Sequence, residues 1–391
     1  MNWSTGALSD VLVDVKSGFA SGQDLDDGVF QFRMNNITTD GQLDLTKRRR
    51  VSRDMLNIER YAVRVGDVLF NATNSAGLVG KAAYFAGLDE LAVFSNHFLR
   101  LRPAPALLDG RYLARWLNLQ FLRGMFKSMA RNWVNQATVN RDALLAMHLP
   151  LPSLAEQRRI ADILDKADAL RVKRRTSLSK LHTLTQSIFL DIFGDPTANP
   201  KQWPMATLAS FGTIERGVSK HRPRGAPELL GGPCPLIQTG DVANCDGYIR
   251  TFKSTYSELG LRQSRMWPAG TLCITIAANI AKTGILTFDA CFPDSVVGFR
   301  SQELATVEFI RCYFSFVQAS LELAAPESAQ KNINLDILRT LRVPVPPLNL
   351  QREFARRTQA IEVLRMREQS SMAELDALFA SLQHRAFCSE L

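Results

Sequence analysis

The sequence says one thing twice, and a chain built that way folds as two like units. Residues 134–164 read VNQATVNRDALLAMHLPLPSLAEQRRIADIL, followed by a long helical stretch that closes on SIFLDIFG. Residues 328–358 read SAQKNINLDILRTLRVPVPPLNLQREFARRT, followed by another helical stretch that closes on SLQHRAFCSEL. Gln136, Asn140, Leu-Pro-Leu-Pro (149–152) and Gln157 return 194 positions on as Gln330, Asn334, Val-Pro-Val-Pro (343–346) and Gln351. A repeat this long is a duplicated domain-plus-helix module, not a solenoid of short repeats. Such internal two-fold character suits a partner, or a DNA target, that comes in two halves.

The 391 residues allow about two to three domains. With 46% hydrophobic and 22% charged residues the chain reads as ordinary globular protein. A net charge of +9 favours polyanionic partners and says nothing of fold. Residues 1–10 lack the basic and apolar regions of a secretory signal, and no apolar run approaches the roughly 20 residues that span a bilayer. The six cysteines (234, 245, 273, 291, 312, 388) contain no C-x-x-C pair. That spacing argues against zinc and against a disulfide framework, so the expectation is a cytoplasmic protein with reduced thiols.

An α+β organisation follows. Residues 1–150 read as a first globular domain, 151–196 as a central helix, 197–346 as a second globular domain and 347–391 as a C-terminal helix. Tyr61–Phe70 predicts a strand with a turn at Gly66-Asp67, and Met266–Ile276 its counterpart with a turn at Pro268-Ala269-Gly270. Trp3 and Trp203 open the two copies, followed by Leu8 and Leu208. Pro150 and Pro152 forbid a helix through that point. Ser153 with Glu156 predicts a capping box directly after them, whereas in the second copy Asn349 is the expected cap and Leu350 replaces the acid. Gly194-Asp195-Pro196 ends the first helix with a C-cap glycine and a stop proline.

Each long helix carries a narrow apolar stripe. Ile160, Ala167, Leu170, Leu178, Leu181, Leu184 and Ile188 match Phe354, Ile361, Leu364, Met372, Leu375, Leu378 and Leu382. Spacings of three, four and seven are those of a coiled-coil seam, interrupted at residues 171–176 and 365–371. A helix of about 35 residues runs roughly 50 Å. The simplest use of two equal seams in one chain is to pair with each other, antiparallel; the alternative is two amphipathic helices, each packed on its own domain.

At the proline–helix junctions, Leu-Pro-Leu-Pro-Ser-Leu-Ala-Glu-Gln-Arg-Arg-Ile (149–160) and Val-Pro-Val-Pro-Pro-Leu-Asn-Leu-Gln-Arg-Glu-Phe (343–354), the chain resembles the specificity subunit of a type I restriction-modification enzyme. The resemblance covers the whole chain. It implies two target-recognition domains, each reading half of a split DNA sequence, and helices that act as spacer and dock two methyltransferase subunits. Motor-nuclease subunits join through the complex. S-adenosylmethionine, ATP and magnesium belong to those partners, with no cofactor on this chain. Leu350 departs from the family pattern, which weakens the expectation of docking at that end. A bipartite site needs two readers on a rigid spacer, and half-sites one turn apart lie roughly 34 Å from each other on one face of DNA.

Several segments are candidates for DNA contact. Lys47, Arg48, Arg49, Arg50 and Arg53 form the densest basic run; they suit phosphates or guanine O6/N7, or form a solvated loop. Lys220, His221, Arg222 and Arg224 are a weaker counterpart in the second copy. Asn71, Thr73, Asn74 and Ser75 follow the first predicted strand, and Asn279 and Lys282 follow the second. Asparagine can pair bidentately with adenine, but each segment could equally be a turn satisfied by its own backbone. Trp133, Val134, Asn135 and Gln136, with Ala329, Gln330, Lys331 and Asn332, occupy the matching loops before the proline motifs; by the resemblance such loops support the recognition domain, and DNA contact is the other reading.

Catalytic motifs are missing from the sequence. Gly80-Lys81 lacks the remainder of a phosphate-binding loop, no Asn-Pro-Pro-aromatic motif occurs, and the histidines (97, 148, 182, 221, 384) are scattered. His97, in an apolar strand-like run, reads as structural. The sequence therefore predicts a non-catalytic recognition subunit. Two other readings stay open: a scaffold that does not bind DNA, and a solitary nuclease or methyltransferase with an unrecognised site.

Overall fold

The computed structural model describes residues 3–22, 24–53, 58–221, 223–324 and 332–391. The chain divides into two compact units, Met1–Arg175 with Ser370–Leu391, and Thr176–Gln369.

In the first unit an antiparallel sheet orders Leu12–Ser17, Phe98–Pro103, Val68–Asn71 and Ala82–Tyr84. Arg50–Val51, Val29–Phe32 and Ala92–Phe94 form a second sheet, the last pair parallel. The helix Gly110–Leu122, capped by the Asp109 carboxylate, buries Tyr112, Trp116 and Leu117. Its core also takes Ile160 and Leu164 from the first long helix (Leu154–Phe193) and Phe379, Ala386 and Phe387 from the second (Leu348–Ala386).

In the second unit a five-stranded sheet orders Thr213–Arg216, Val296–Arg300, Leu272–Thr275, Thr283–Leu286 and Tyr248–Ile249. The helix Leu304–Ala324 covers it, and Phe309, Phe316, Phe354, Phe189 and Phe193 make one aromatic cluster with centroids 4.9 to 5.5 Å apart for most pairs. Fully burying each such ring contributes about 2–3 kcal/mol.

The repeated motifs have the same work in each unit. Ser4–Ala7 pairs antiparallel with His148–Leu151, which contains Pro150, and Met205–Thr207 pairs with Arg342–Pro344. Asn140 accepts from the Asp142 and Ala143 amides and Asn334 from the Asp336 amide, so both cap the short helix before the prolines. Gln157 Nε2 donates to the Pro152 carbonyl at 3.0 Å, and Gln351 Nε2 to the Pro346 carbonyl at 2.8 Å. Gln157 also takes the Asp109 amide at 2.9 Å, and Gln351 the Thr306 hydroxyl at 2.8 Å. Each glutamine thus ties a proline strand, a domain helix and the start of a long helix together.

Some expectations from the sequence need correction. Tyr61–Phe70 is not one strand: Ile58–Tyr61 is a 3-10 turn and the strand starts at Val68. Asp67 accepts the Arg64 amide at 2.8 Å and Gly66 turns at φ 98°, which closes the backbone before the strand can begin. Asn349 lies inside the second long helix, not at its cap. The helix starts at Leu348, because the Pro347 carbonyl already receives the Leu350 and Gln351 amides. Ser153 does accept the Glu156 amide at 3.3 Å, but the Glu156 carboxylate is held by Arg159 at 2.7 and 2.8 Å.

The stripe holds only in part. Leu170, Leu184, Leu364 and Leu378 are exposed. Ile160, Phe354, Ile361 and Met372 are buried, and Ala167, Leu178, Leu181, Ile188, Leu375 and Leu382 are partly so. The buried row of the first helix runs Gln157, Ile160, Leu164, Asp168, Arg171, and that of the second Gln351, Phe354, Thr358, Ile361, Arg365. Arg171 and Arg365 therefore continue the row where the sequence predicts an interruption. Arg171 is neutralised by Asp168 at 3.0 Å and Asp376 at 2.7 Å and lies 4.3 Å from the Phe379 ring. Arg365 donates to the Asp246 carbonyl at 2.6 Å and to Glu362 at 3.2 Å. A guanidinium is weakly hydrated and its stem apolar, so partners like these let it fill a core row.

Candidate nucleic-acid interface

The basic run of the first unit is largely engaged within the protein. Arg48 and Arg50 both grip the Glu90 carboxylate, Arg50 at 2.8 Å. Partial burial of Glu90 opposes ionisation, but the two guanidiniums outweigh it and hold its carboxyl below the ordinary value. Arg50 also donates to the Gly28 carbonyl and Arg49 to the Ser21 carbonyl, both at 2.8 Å. Lys47 is exposed, 3.9 Å from Asp44, and Arg53 is exposed. The run is a clamped edge of the small sheet that still turns positive surface outward.

The Asn71–Ser75 segment splits. Asn71 and Asn74 are buried; Asn74 Nδ2 donates to Asn71 Oδ1 at 2.6 Å, and Asn71 Nδ2 donates to the Thr73 and His97 carbonyls at 3.1 and 3.3 Å. Their amides are spent on the turn, so neither reaches a base edge. Thr73 meets the Thr138 hydroxyl at 3.1 Å, and Ser75 is exposed. His97 sits in the turn between Ala92–Phe94 and Phe98–Pro103, not in a strand. Burial and the Arg33 charge lower its pKa, as befits a neutral structural ring.

Beside that turn stands a hairpin. Arg131–Trp133 and Gln136–Thr138 pair antiparallel, and Gln136–Thr138 pairs in turn with Thr73–Asn74. Asn135 turns the hairpin at φ 66°, a left-handed conformation that asparagine tolerates. Asn135 and Gln136 are exposed, as are Arg131, Asn132, Trp133 and Val134. Sequence reading marked the loop from Trp133 to Gln136 but had not singled out Arg131 or Asn132. The signal was there: from Gly110 to Arg141 the chain has six cations and no acid.

In the second unit Gln263 Oε1 takes the Lys220 and His221 amides at 2.6 and 3.0 Å, and Arg224 pairs with Asp294. Ala277–Lys282 is a tight loop with Ala278 and Ala281 at φ 64° and 57°. Thr275 Oγ1 ties it together, accepting the Lys282 amide at 3.1 Å and donating to the Asn279 carbonyl, and leaves Asn279 and Lys282 exposed. Asn332 forms a bridge with Ala277, as Thr138 pairs with Thr73 in the first unit. Arg222, Gln330 and Lys331 lie outside the described residues. Among the described residues no group of three His, Cys, Asp or Glu side chains is placed to hold a metal ion, and no helix is long and apolar enough to cross a membrane.

The family model for the type I restriction modification DNA specificity domain matches twice, at residues 1–180 and 200–364. A putative type I restriction enzyme specificity subunit, MjaX, of Methanocaldococcus jannaschii is 24% identical over 377 residues, covering 93% of this chain and 87% of that protein. The StySPI specificity subunit of Salmonella potsdam is 26% identical over 209 residues, 52% of this chain and 44% of that protein. Among solved structures, the type I restriction-modification S subunit from M. genitalium superimposes with a TM-score of 0.62 at 14% identity, covering 99% of this chain and 96% of that one. A chain from a type I R-M system solved for its complex assembly and conformational transition gives 0.58 at 18% identity, covering 100% and 98%. At these identities the structural matches establish the fold.

Proposed function

The chain belongs to the type I restriction-modification DNA specificity family, and we propose that it is the specificity subunit of such an enzyme, each recognition domain reading one half of a bipartite DNA target. The observation that carries the reading is the double family match over a chain whose Gln157 and Gln351 junctions are built alike. We take residues 1–150 and 197–346 as the recognition domains and 151–196 and 347–391 as spacer helices that pair as an antiparallel coiled coil. Contacts inside each unit support that pairing: Arg171 with Asp376 in the first, Phe189 and Phe193 with Phe354 in the second. The recurring proline strands and asparagine caps support descent by internal duplication.

In this reading the subunit is not itself catalytic. It positions two methyltransferase subunits, and through them motor-nuclease subunits, which carry S-adenosylmethionine, ATP and magnesium. Co-expression with a type I methyltransferase subunit of the same source in a methylation-free host, followed by sequencing of modified adenine, tests it. A split motif with a fixed gap is the expected result. Co-purification of the two proteins without any modification would favour a scaffold, and absence of both would overturn the reading.

A further inference from the structure

The first unit holds an aromatic and a β-branched side chain where its fold cannot bury them. Trp133 is 68% exposed and Val134 92%, both at the end of the Arg131–Thr138 hairpin. The cause is register. Arg131 faces Thr138, Asn132 faces Ala137 and Trp133 faces Gln136. Cross-strand partners share a sheet face, and neighbours along a strand alternate. Ala137 is fully buried in the core, which puts Arg131, Trp133 and Gln136 on the opposite face. A slip of one residue would exchange the faces. It is prevented by the pairing of Ala137 and Thr138 with Asn74 and Thr73 and by the Val139 amide on the Ala72 carbonyl at 2.9 Å.

The surroundings are cationic. Of the six cations between Gly110 and Arg141, Arg111 and Arg115 are spent on Asp162, Asp165 and Asp168. Lys127 and Arg131 form no ion pair among the described residues. An apolar tip flanked by cations and by the amide side chains of Asn135 and Gln136 has the chemistry of a groove-entering element on duplex DNA. Cations meet phosphates, amides meet base edges, and an apolar side chain enters a partly unstacked base step.

The duplication points the same way. Positions 194 residues on keep the frame (Gln330, Asn334, Gln351), but Trp133, Val134 and Asn135 correspond to Glu327, Ser328 and Ala329. The frame is held while the tip diverges, as two readers of different half-sites require.

We propose that Trp133 and Val134 wedge against a base step of the half-site read by the first unit, with Arg131 on the backbone and Asn135 on a base edge. The inference rests on the DNA-specificity reading. Its test compares the wild-type full chain with the W133A/V134S variant, each co-expressed with the methyltransferase subunit, by methylation sequencing and co-purification. Both side chains are exposed, so the variant should fold and unfold as the wild type does. The expected result is a split motif for the wild type and, for the variant, modification reduced by about tenfold or relaxed at one half-site, with the other half-site and co-purification intact. An unchanged motif and rate in the variant overturns the wedge alone. Loss of co-purification in the variant overturns it in favour of a protein contact. No split motif in the wild type overturns the DNA reading and the wedge with it.

Discussion

Single side chains do two separable kinds of work here, and both can be tested. Gln157 spends its amide on three partners: the Asp109 amide at 2.9 Å and the Leu107 and Pro152 carbonyls at 2.9 and 3.0 Å. Gln157→Ala leaves those groups unpaired inside the junction and is expected to cost about 2–4 kcal/mol, read as a lower denaturant midpoint for the full chain. Gln351→Ala removes an analogous pair of bonds and should cost somewhat less. At the basic run, Arg48 and Arg50 are restrained by one carboxylate. Glu90→Gln releases both cations, so the salt dependence of DNA binding should steepen by about one to two phosphate equivalents; an unchanged slope would take this edge off the DNA path. The pH dependence follows from the same pair. The folded Glu90 carboxyl titrates below its ordinary value, so its stabilising contribution is present above the unfolded value of 4.5 and fades as pH falls through the folded one. The importance of Gln157 was legible as a repeated letter. Its role was not, because two of its partners, Leu107 and Asp109, sit in the turn and cap before the helix Gly110–Leu122, about fifty residues away in sequence.

At the scale of elements, the two long helices show what a sequence stripe can and cannot specify. Apolar spacing located both helices and their first buried apolar positions, Ile160 and Phe354. Beyond them it placed Ile361 and Met372 rightly but put Leu170, Leu184, Leu364 and Leu378 in the row although they are exposed, since a period of 3.5 and one of 3.6 diverge by about 20° per heptad, and it treated arginine as a break. In fact Arg171 is buried between Asp168, Asp376 and the Phe379 ring, whereas its neighbour Leu170 is exposed. Arg171→Ala leaves the Asp168 carboxylate with one fewer cation in a dry site and should cost about 3 kcal/mol. Leu170→Ala should change stability by less than about 0.5 kcal/mol. If the leucine proves the more costly of the two, the buried row is wrong. The turn residues show the converse: Asn71 reads from sequence equally as a base-contacting side chain or as a turn residue satisfied by backbone, and its amide is consumed by the Thr73 and His97 carbonyls of the turn.

For the whole molecule, the question is what fixes the gap between half-sites. Each long helix contributes residues to both units, Leu154–Phe193 up to and beyond Arg175, and Leu348–Ala386 up to and beyond Gln369. Seven residues of helix-forming sequence inserted after Arg175 and after Gln369 add two turns, about 10.5 Å, to each helix while leaving the packing inside each unit alone. The added length matches about three base pairs of rise, but every added base pair also rotates the second half-site by roughly 35° about the DNA axis. Rise and twist therefore compete, and the tolerated gap should lengthen by about one to three base pairs, with both half-sites unchanged. Insertion into one helix alone separates the two readings of the helices. If they pair with each other, unequal lengths cannot keep both sets of contacts, and modification should be lost while each unit remains folded. If each helix serves only its own domain, a single insertion should be as well tolerated as the matched pair, and the gap read by methylation sequencing should not follow helix length at all.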